Sequence, residues 1–128
     1  MKPTEAEENY LEIILILSMI QTNVRAVDVA KRLERSRAST SEALKKLRDK
    51  EYINISSEGY ISLTQSGSRV ANAIYERYKC IYKLLRYLGV SDETAFADAC
   101  RMEHRISQES LDMLKKYTIS IGNLQYES

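Results

Sequence analysis

Residues 27–50 read VDVAKRLERSRASTSEALKKLRDK, and their pattern of apolar and polar side chains specifies two short helices. Apolar residues recur at helical spacing over 27–34, which predicts the first helix. Ser36 is a favourable N-cap for a second helix over about 37–50. Two helices joined by a tight turn without Pro or Gly form a helix-turn-helix arrangement, although a plain two-helix turn is common in all-α proteins.

The segment after these helices alternates apolar and polar residues twice, over 52–56 and over 60–63. Ser57, Glu58 and Gly59 between them are typical turn residues, so the pattern predicts a two-stranded hairpin. Helix, helix and hairpin in this order predict a winged helix-turn-helix, a class of domain that binds DNA.

Basic charge is concentrated in the same region. Residues 25–50 hold nine Lys and Arg and four Asp and Glu, a net of +5, whereas the whole chain carries +1. A basic segment on an otherwise acidic chain is the electrostatic signature of nucleic-acid binding, and a solvated charged face is the alternative. Small polar side chains at the start of the second helix suit contact with bases. The residues predicted to contact bases are Arg37, Ser39, Thr40, Ser41 and Glu42, and those predicted to lie near phosphates are Arg35, Lys45 and Lys46.

The rest of the chain is predicted to be helical, because its 128 residues include only four Gly and one Pro. A capping box of Thr4 and Glu7 starts a helix over about 5–20. After the hairpin, Thr64 starts a long helix that runs to about Leu88. A helix of this length is too exposed for so small a domain, so we expect it to reach a second lobe or a partner subunit.

Two shorter helices complete the predicted organisation. Ser91 starts the first of them, and the acidic Asp92 and Glu93 suit its first turn. Ser107 caps the second, which is predicted to end near Tyr117. The tail over 118–128 is expected to be loosely held.

Three potential metal donors occur close together in the helix that starts at Ser91. Cys100 precedes Glu103 by three residues and His104 by four, which places all three on one face of a helix. Thiol, carboxylate and imidazole suit a transition metal and do not suit Ca²⁺ or Mg²⁺. The structural alternative is a buried Cys beside a solvated helix face. Three donors leave a metal shell incomplete, and Asn9 and Glu12 on neighbouring turns of the first helix are candidates to complete it.

Several classes of protein are excluded by the sequence. No apolar run reaches 18 residues and the N-terminus lacks the features of a signal peptide, so we expect neither a membrane span nor secretion. Two cysteines without a secretory signal indicate a cytoplasmic protein. An enzyme that uses Cys100 and His104 as a nucleophile pair is not expected, because no orienting carboxylate or oxyanion donor is evident. No small-molecule substrate is therefore predicted.

Taken together, these residues resemble the DtxR/MntR family, the diphtheria-toxin-repressor-like metal-dependent regulators. The resemblance extends from Glu8-Asn9-Tyr10-Leu11-Glu12 to the helix after Ser107 and includes Leu63-Thr64-x-x-Gly67. It implies a mostly α, homodimeric repressor of double-stranded operator DNA. It further implies a winged helix-turn-helix DNA-binding domain over 1–70, a helical metal-binding and dimerisation domain over 71–128, and no C-terminal SH3-like domain. In such a protein, a metal that joins the first helix to the dimerisation domain favours binding to a palindromic operator.

The resemblance also bears on the metal. The stretch Asp98-Ala99-Cys100-Arg101-Met102-Glu103-His104 is similar to the iron-sensing branch, so Fe²⁺ is the first expectation. Mn²⁺ is the second, because Glu12 matches a ligand of the manganese branch. The family's second, ancillary site is expected to be absent or rebuilt, since Tyr78, Tyr82 and Phe96 stand at its ligand positions. The alternative function is a winged-helix regulator that has lost metal sensing and responds to another signal, such as oxidation of Cys100.

Overall fold

The computed structural model describes residues 2–127, with side chains described for residues 2–121. Its elements in chain order are α1 (Glu5–Ile20), α2 (Ala26–Leu33), α3 (Arg37–Asp49), β1 (Ile53–Ile55), β2 (Ile61–Leu63), α4 (Gln65–Tyr87), α5 (Asp92–Met102) and α6 (Gln108–Glu127). The contacts between residues divide the chain into two compact units between Ala73 and Ile74, within α4. The predicted class, mostly helical with a winged helix-turn-helix, is confirmed.

The first unit is a winged helix-turn-helix built around one apolar core. Strands β1 and β2 pair antiparallel, with Ile53 opposite Leu63 and Ile55 opposite Ile61. All three helices and both strands contribute buried side chains, so burial of apolar surface holds the helices against the hairpin. The largest completely or nearly completely buried apolar residues of this core are Leu11, Ile14, Val29, Leu44, Leu47 and Ile53.

The helices of the first unit begin where local side-chain chemistry predicts. The Thr4 hydroxyl accepts the main-chain N–H of Glu7 at 3.1 Å, and the Glu7 carboxylate accepts that of Thr4 at 2.9 Å. At the start of α3, the Ser36 hydroxyl accepts the N–H of Ser39 at 3.1 Å. Each such cap typically contributes about 1 kcal/mol.

Gly67 allows the start of α4 to approach the chain just before β1. A Cβ atom at this position would lie 2.0 Å from the carbonyl oxygen of Tyr52, which is far inside van der Waals contact. The Thr64 main-chain N–H donates to the same oxygen at 3.0 Å, and the Thr64 hydroxyl donates to the carbonyl of Glu51 at 2.7 Å. The Leu-Thr-x-x-Gly motif therefore holds the start of α4 against the chain that leads into the β1–β2 hairpin, which is the wing.

The second unit contains the C-terminal part of α4 together with α5 and α6. Helix α5 begins after its predicted N-cap Ser91, but it ends at Met102, so the prediction that one helix carries all three metal donors is wrong. Glu103 is the C-cap residue and His104 lies in the turn that follows.

The last helix is longer than predicted. It reaches Glu127 and does not end near Tyr117. The Thr118 hydroxyl donates to the carbonyl of Leu114 at 2.7 Å within the helix, and Ile121 is buried, so packing continues to at least residue 121. Within the described part of the chain, no helix combines the length and the apolar character that a bilayer crossing needs.

Candidate functional site

The candidate DNA-binding surface is the exposed face of α3 and of the turn before it. Side chains on this face are held by a regular helix whose opposite face is buried through Leu44 and Leu47. The predicted contact residues that are exposed are Arg35, Arg37, Ser39, Ser41, Glu42, Lys45 and Lys46. A row of exposed hydroxyls and cations along one helix can donate to base edges and phosphate oxygens.

Thr40 is a correction to the predicted base-contacting set. Its side chain is 0% exposed, and its hydroxyl oxygen has no hydrogen-bond partner among the described residues. It lies four residues before Leu44 and seven before Leu47, so it faces the core and not the exposed side of α3. A side chain in this position cannot reach a base while the domain keeps this fold.

Arg25 contacts the hairpin formed by β1 and β2. The sequence analysis did not predict this structural role. Its guanidinium donates to the carbonyl of Glu58 at 3.0 Å and lies 4.5 Å from the centre of the Tyr60 ring. The partners are 33 positions apart in the chain, so no local pattern could have paired them. Its charge is used to position the hairpin beside the start of α2.

Lys50, at the end of the basic segment, is paired within the first unit. Its ammonium group lies 2.5 Å from the Glu7 carboxylate. Burial by itself raises the pKa of Glu7, but hydrogen bonds from the Lys50 side chain and the Thr4 main chain outweigh it, and the pKa is lowered overall. The charge of Lys50 is therefore partly neutralised within the first unit.

In the first unit, the two candidate metal donors are separated by three residues on α1. Asn9 is half-buried, whereas Glu12 is 6% exposed and lies among core residues of this helix. A buried carboxylate is costly unless a positive charge or hydrogen bonds compensate it.

In the second unit, Glu103 and His104 come together in the turn after α5. The Glu103 side chain is 1% exposed and that of His104 is 3% exposed, and His104 Nε2 lies 3.4 Å from Glu103 Oε1. Cys100 is half-buried on the last turn of α5. The C-terminal end of a helix carries partial negative charge, which favours a cation nearby.

The donor chemistry at the end of α5 and in the turn that follows fits a divalent transition metal. Thiolate sulfur, imidazole nitrogen and carboxylate oxygen are all ligands of such ions, and a cation would neutralise the buried Glu103 carboxylate. Among residues 2–121, no three or more His, Cys, Asp or Glu side chains stand in a preformed metal-binding group. The assignment of ligands therefore depends on the chemistry and burial of these side chains.

An aromatic cluster formed by Tyr75, Tyr78, Tyr82 and Phe96 lies on α4 and α5. The ring of Tyr78 lies 6.2 Å from that of Tyr75, 5.6 Å from that of Tyr82 and 5.9 Å from that of Phe96. Burial, with a smaller contribution from Cys100, raises the pKa of Tyr78 to about 12. The hydrogen bond from Tyr82 to Asp92 raises the pKa of Tyr82 as well. Both phenols are neutral at physiological pH and serve the packing of the cluster.

Sequence profiles of known domain families match both parts of the chain. The N-terminal DNA-binding domain of iron-dependent repressors matches residues 2–61. The metal-binding and dimerisation domain of iron-dependent repressors matches residues 64–121. Together these two matches account for nearly all of the chain.

Individual relatives agree with these matches. The transcriptional regulator MntR of Salmonella typhimurium is 35% identical over 118 residues, which cover 92% of this chain and 75% of the relative. The crystal structure of T. acidophilum IdeR superposes with a TM-score of 0.79 at 25% identity, covering 91% of this chain and 55% of that one. The structure of the manganese regulator SloR superposes with a TM-score of 0.75 at 25% identity, covering 91% and 54%. The chain thus spans about half the length of these two solved regulators.

Proposed function

Because this chain belongs to the iron-dependent repressor family, the DtxR/MntR family of metal-dependent transcriptional regulators, we propose that it is an iron-responsive repressor. In this proposal, a homodimer with bound Fe²⁺ binds a palindromic operator in the cytoplasm. Members of the family are transcriptional regulators and not enzymes, and they dimerise through the C-terminal domain.

The observation that carries DNA binding is the exposed polar and basic face of α3 beside the hairpin. We assign base contacts to Arg37, Ser39, Ser41 and Glu42, and phosphate contacts to Arg35, Lys45 and Lys46. A helix that presents small polar side chains first and lysines later suits insertion of its N-terminal end into the major groove. In a dimer, the two recognition helices must be about 34 Å apart to enter successive major grooves.

The proposed metal ligands in the second unit are Cys100, Glu103 and His104. Burial of Glu103 and His104 supports this choice, because a divalent cation compensates a carboxylate that is removed from water. Asn9 and Glu12 on α1 stay predicted metal ligands. A bound cation supplies positive charge to this turn, and the chain supplies the donors and the burial.

The identity of the metal rests on ligand chemistry. Thiolate and imidazole donors together favour Fe²⁺ or a later first-row ion, and availability in the cell selects Fe²⁺ among them. Mn²⁺ is the competing ion, because the similar solved structure of SloR is that of a manganese regulator and because Glu12 offers an oxygen donor.

The coupling between metal and DNA has a thermodynamic requirement. Metal raises DNA affinity only if it binds the DNA-competent form more tightly than the other form. A coupling free energy of about 1–3 kcal/mol, or roughly 5- to 150-fold in affinity, is typical.

The test begins with protein freed of metal by a chelator and handled without oxygen. Its operator duplex is obtained by in-vitro selection from random sequences, and DNA affinity is measured with Fe²⁺, Mn²⁺, Zn²⁺ or no metal added back. The proposal predicts the largest gain in affinity with Fe²⁺. A larger gain with Mn²⁺ would replace iron by manganese, and equal affinity with and without any metal would overturn metal regulation. A response to oxidation of Cys100 alone would favour the thiol-sensing alternative.

A further inference from the structure

Arg77 on α4 contacts both ends of the turn that carries Glu103 and His104. Its guanidinium donates to the main-chain carbonyl of Glu103 at 3.2 Å and to that of Ile106 at 2.8 Å. A third hydrogen bond, 3.2 Å long, reaches the side-chain oxygen of Gln108, the first residue of α6. The turn between α5 and α6 is thus held at its beginning, near its end and at the next helix by one side chain.

Main-chain hydrogen bonds also connect the turn to the end of α5. The described main-chain hydrogen bonds within it run from Glu103 to Ala99 and from Arg105 and Ile106 to Met102. They fix the first part of the turn to the end of α5, whereas the Arg77 contacts to Ile106 and Gln108 fix its exit. A half-buried guanidinium suits this role, because its planar group offers five donors in a fixed geometry that an ammonium cannot reproduce.

We infer that Arg77 is a positioning residue for metal binding: it orients the turn so that Glu103 and His104 present their donors together. This inference rests on the proposed metal site. Arg77 has no role as a ligand, because a guanidinium carries only donors and is always protonated. Groups that orient the ligands of a metal typically change its affinity by about 10- to 100-fold when they are removed.

Electrostatic repulsion and loss of positioning predict opposite changes in metal affinity when the Arg77 side chain is removed. Arg77 places a positive charge near the proposed site, so through-space repulsion alone predicts that loss of this charge strengthens binding of a cation. Loss of positioning predicts weaker binding. The sign of the change in affinity for Arg77→Met therefore separates the two effects.

Arg86 provides a matched control on the same helix. Its guanidinium also donates to a main-chain carbonyl, that of Val90 at 2.9 Å, but this carbonyl lies in the connection between α4 and α5. Arg86→Met thus removes the same charge and the same kind of contact without touching the turn after α5.

The experiment titrates Co²⁺ into metal-free wild type, Arg77→Met, Arg77→Lys and Arg86→Met, monitored by absorption. We expect Arg77→Met to bind Co²⁺ about 10- to 100-fold more weakly, with Arg77→Lys only partly restored and Arg86→Met unchanged. The sulfur-to-cobalt charge-transfer band should persist at saturation in Arg77→Met, because Cys100 lies on α5 and not in the turn. In the metal-free Arg77→Met protein, main-chain amides of the turn 103–106 should exchange hydrogen faster than in wild type.

The outcomes separate this inference from the proposed function. Unchanged or tighter binding of Co²⁺ by Arg77→Met, with normal binding by wild type, overturns the positioning role and leaves the metal site intact. Equal weakening by Arg86→Met also overturns it, because the effect would then come from general loss of stability. Absence of Co²⁺ binding by wild type overturns the metal site itself.

Discussion

The two units of this chain present their functional side chains in opposite ways. In the first unit, candidate DNA contacts are exposed along one regular helix, α3, and its apolar face holds them in place. In the second, Glu103 and His104 are buried in the turn after α5, and Arg77 of α4 donates a hydrogen bond to the main-chain carbonyl of Glu103. A surface that meets phosphates needs exposed charge, whereas the candidate donors Glu103 and His104 are largely withdrawn from water. Local spacing therefore predicts most of the exposed candidate face of α3, whereas contacts between distant parts of the chain surround the candidate donors of the second unit.

The largest effect is expected from a substitution that disrupts the close contact between the start of α4 and the chain just before β1. Gly67→Ala places a Cβ atom 2.0 Å from the Tyr52 carbonyl oxygen, so the backbone must move. We expect the free energy of unfolding to fall by about 3 kcal/mol, as measured by urea titration with circular dichroism.

Gly89→Ala is the control in the second unit. Its φ of +101° makes an L residue unfavourable, but no atom lies within 4 Å of the added Cβ. A loss of about 1–2 kcal/mol is expected from the backbone alone. A Gly67→Ala protein as stable as wild type would contradict the close approach at the start of α4.

The second prediction compares the two cysteines of the chain, of which only Cys100 is a proposed metal ligand. Cys100→Ser should weaken Co²⁺ binding by at least about 100-fold and abolish the sulfur-to-cobalt charge-transfer band, because the thiolate is a proposed ligand. Cys80→Ser is the matched control: Cys80 is buried beside the Thr118 hydroxyl at 3.6 Å and is not a proposed ligand. Loss of the band in Cys80→Ser and its retention in Cys100→Ser would reverse the assignment.

Structural features that depend on residues close together in the sequence could be predicted, whereas those that depend on residues far apart could not. Thr4, Ser36, Ser91 and Ser107 accept main-chain N–H groups three residues ahead, so the starts of α1, α3, α5 and α6 could be predicted from local patterns. The winged helix-turn-helix could also be predicted from the sequence, because apolar residues recur at helical spacing in its helices and alternate with polar residues in its hairpin.

The errors in the second unit also have physical causes. Glu103 keeps helical dihedral angles as the C-cap of α5, so helical spacing placed it correctly, but His104 lies beyond the helix. The hydrogen bonds of Arg77 to this turn span 26 to 31 positions and leave no periodic signal. The end of α6 was misplaced because the helix continues past Tyr117, and Ile121 within this continuation is buried.

The third prediction tests whether Thr40 belongs to the buried face of α3 and Ser41 to its exposed face. Thr40→Val replaces a buried hydroxyl that has no described hydrogen-bond partner by a methyl group of similar size. We expect stability to stay the same or rise by up to about 1 kcal/mol, with unchanged DNA affinity. Ser41→Ala, on the exposed face, should instead reduce affinity for the operator. A Thr40→Val protein that folds normally but loses operator specificity would return Thr40 to the base-contacting set.

The fourth prediction concerns the electrostatic part of the exposed face. Lys45→Ala should weaken binding to all DNA sequences about equally and reduce the slope of log affinity against log salt by about one. Lys83→Ala, an exposed lysine of α4 outside the basic segment, is the comparison. The measurement is a salt titration of DNA binding by fluorescence anisotropy, and equal slopes for wild type and Lys45→Ala would remove Lys45 from the phosphate contacts.

The smallest expected effect is that of the ion pair between Glu7 and Lys50. The folded chain lowers the pKa of Glu7 below its usual value of 4.5, so the folded state binds this proton more weakly than the unfolded state. The pair stabilises the fold above that value, and this contribution is lost as pH falls through the lowered pKa. Glu7→Gln should therefore reduce the free energy of unfolding at pH 7 by less than about 1 kcal/mol, and the difference from wild type should shrink in acid. A difference that grows in acid would contradict the direction of the shift.

The central claim is that metal bound by the buried donors of the second unit controls how tightly the exposed face of α3 holds DNA. The most direct measurement is operator affinity, with and without Fe²⁺, for wild type and His104→Ala under anaerobic conditions. Wild type should gain roughly 5- to 150-fold on addition of metal, whereas His104→Ala should gain nothing and should match metal-free wild type. A His104→Ala protein whose operator affinity still rises with Fe²⁺ as much as that of wild type would contradict the claim.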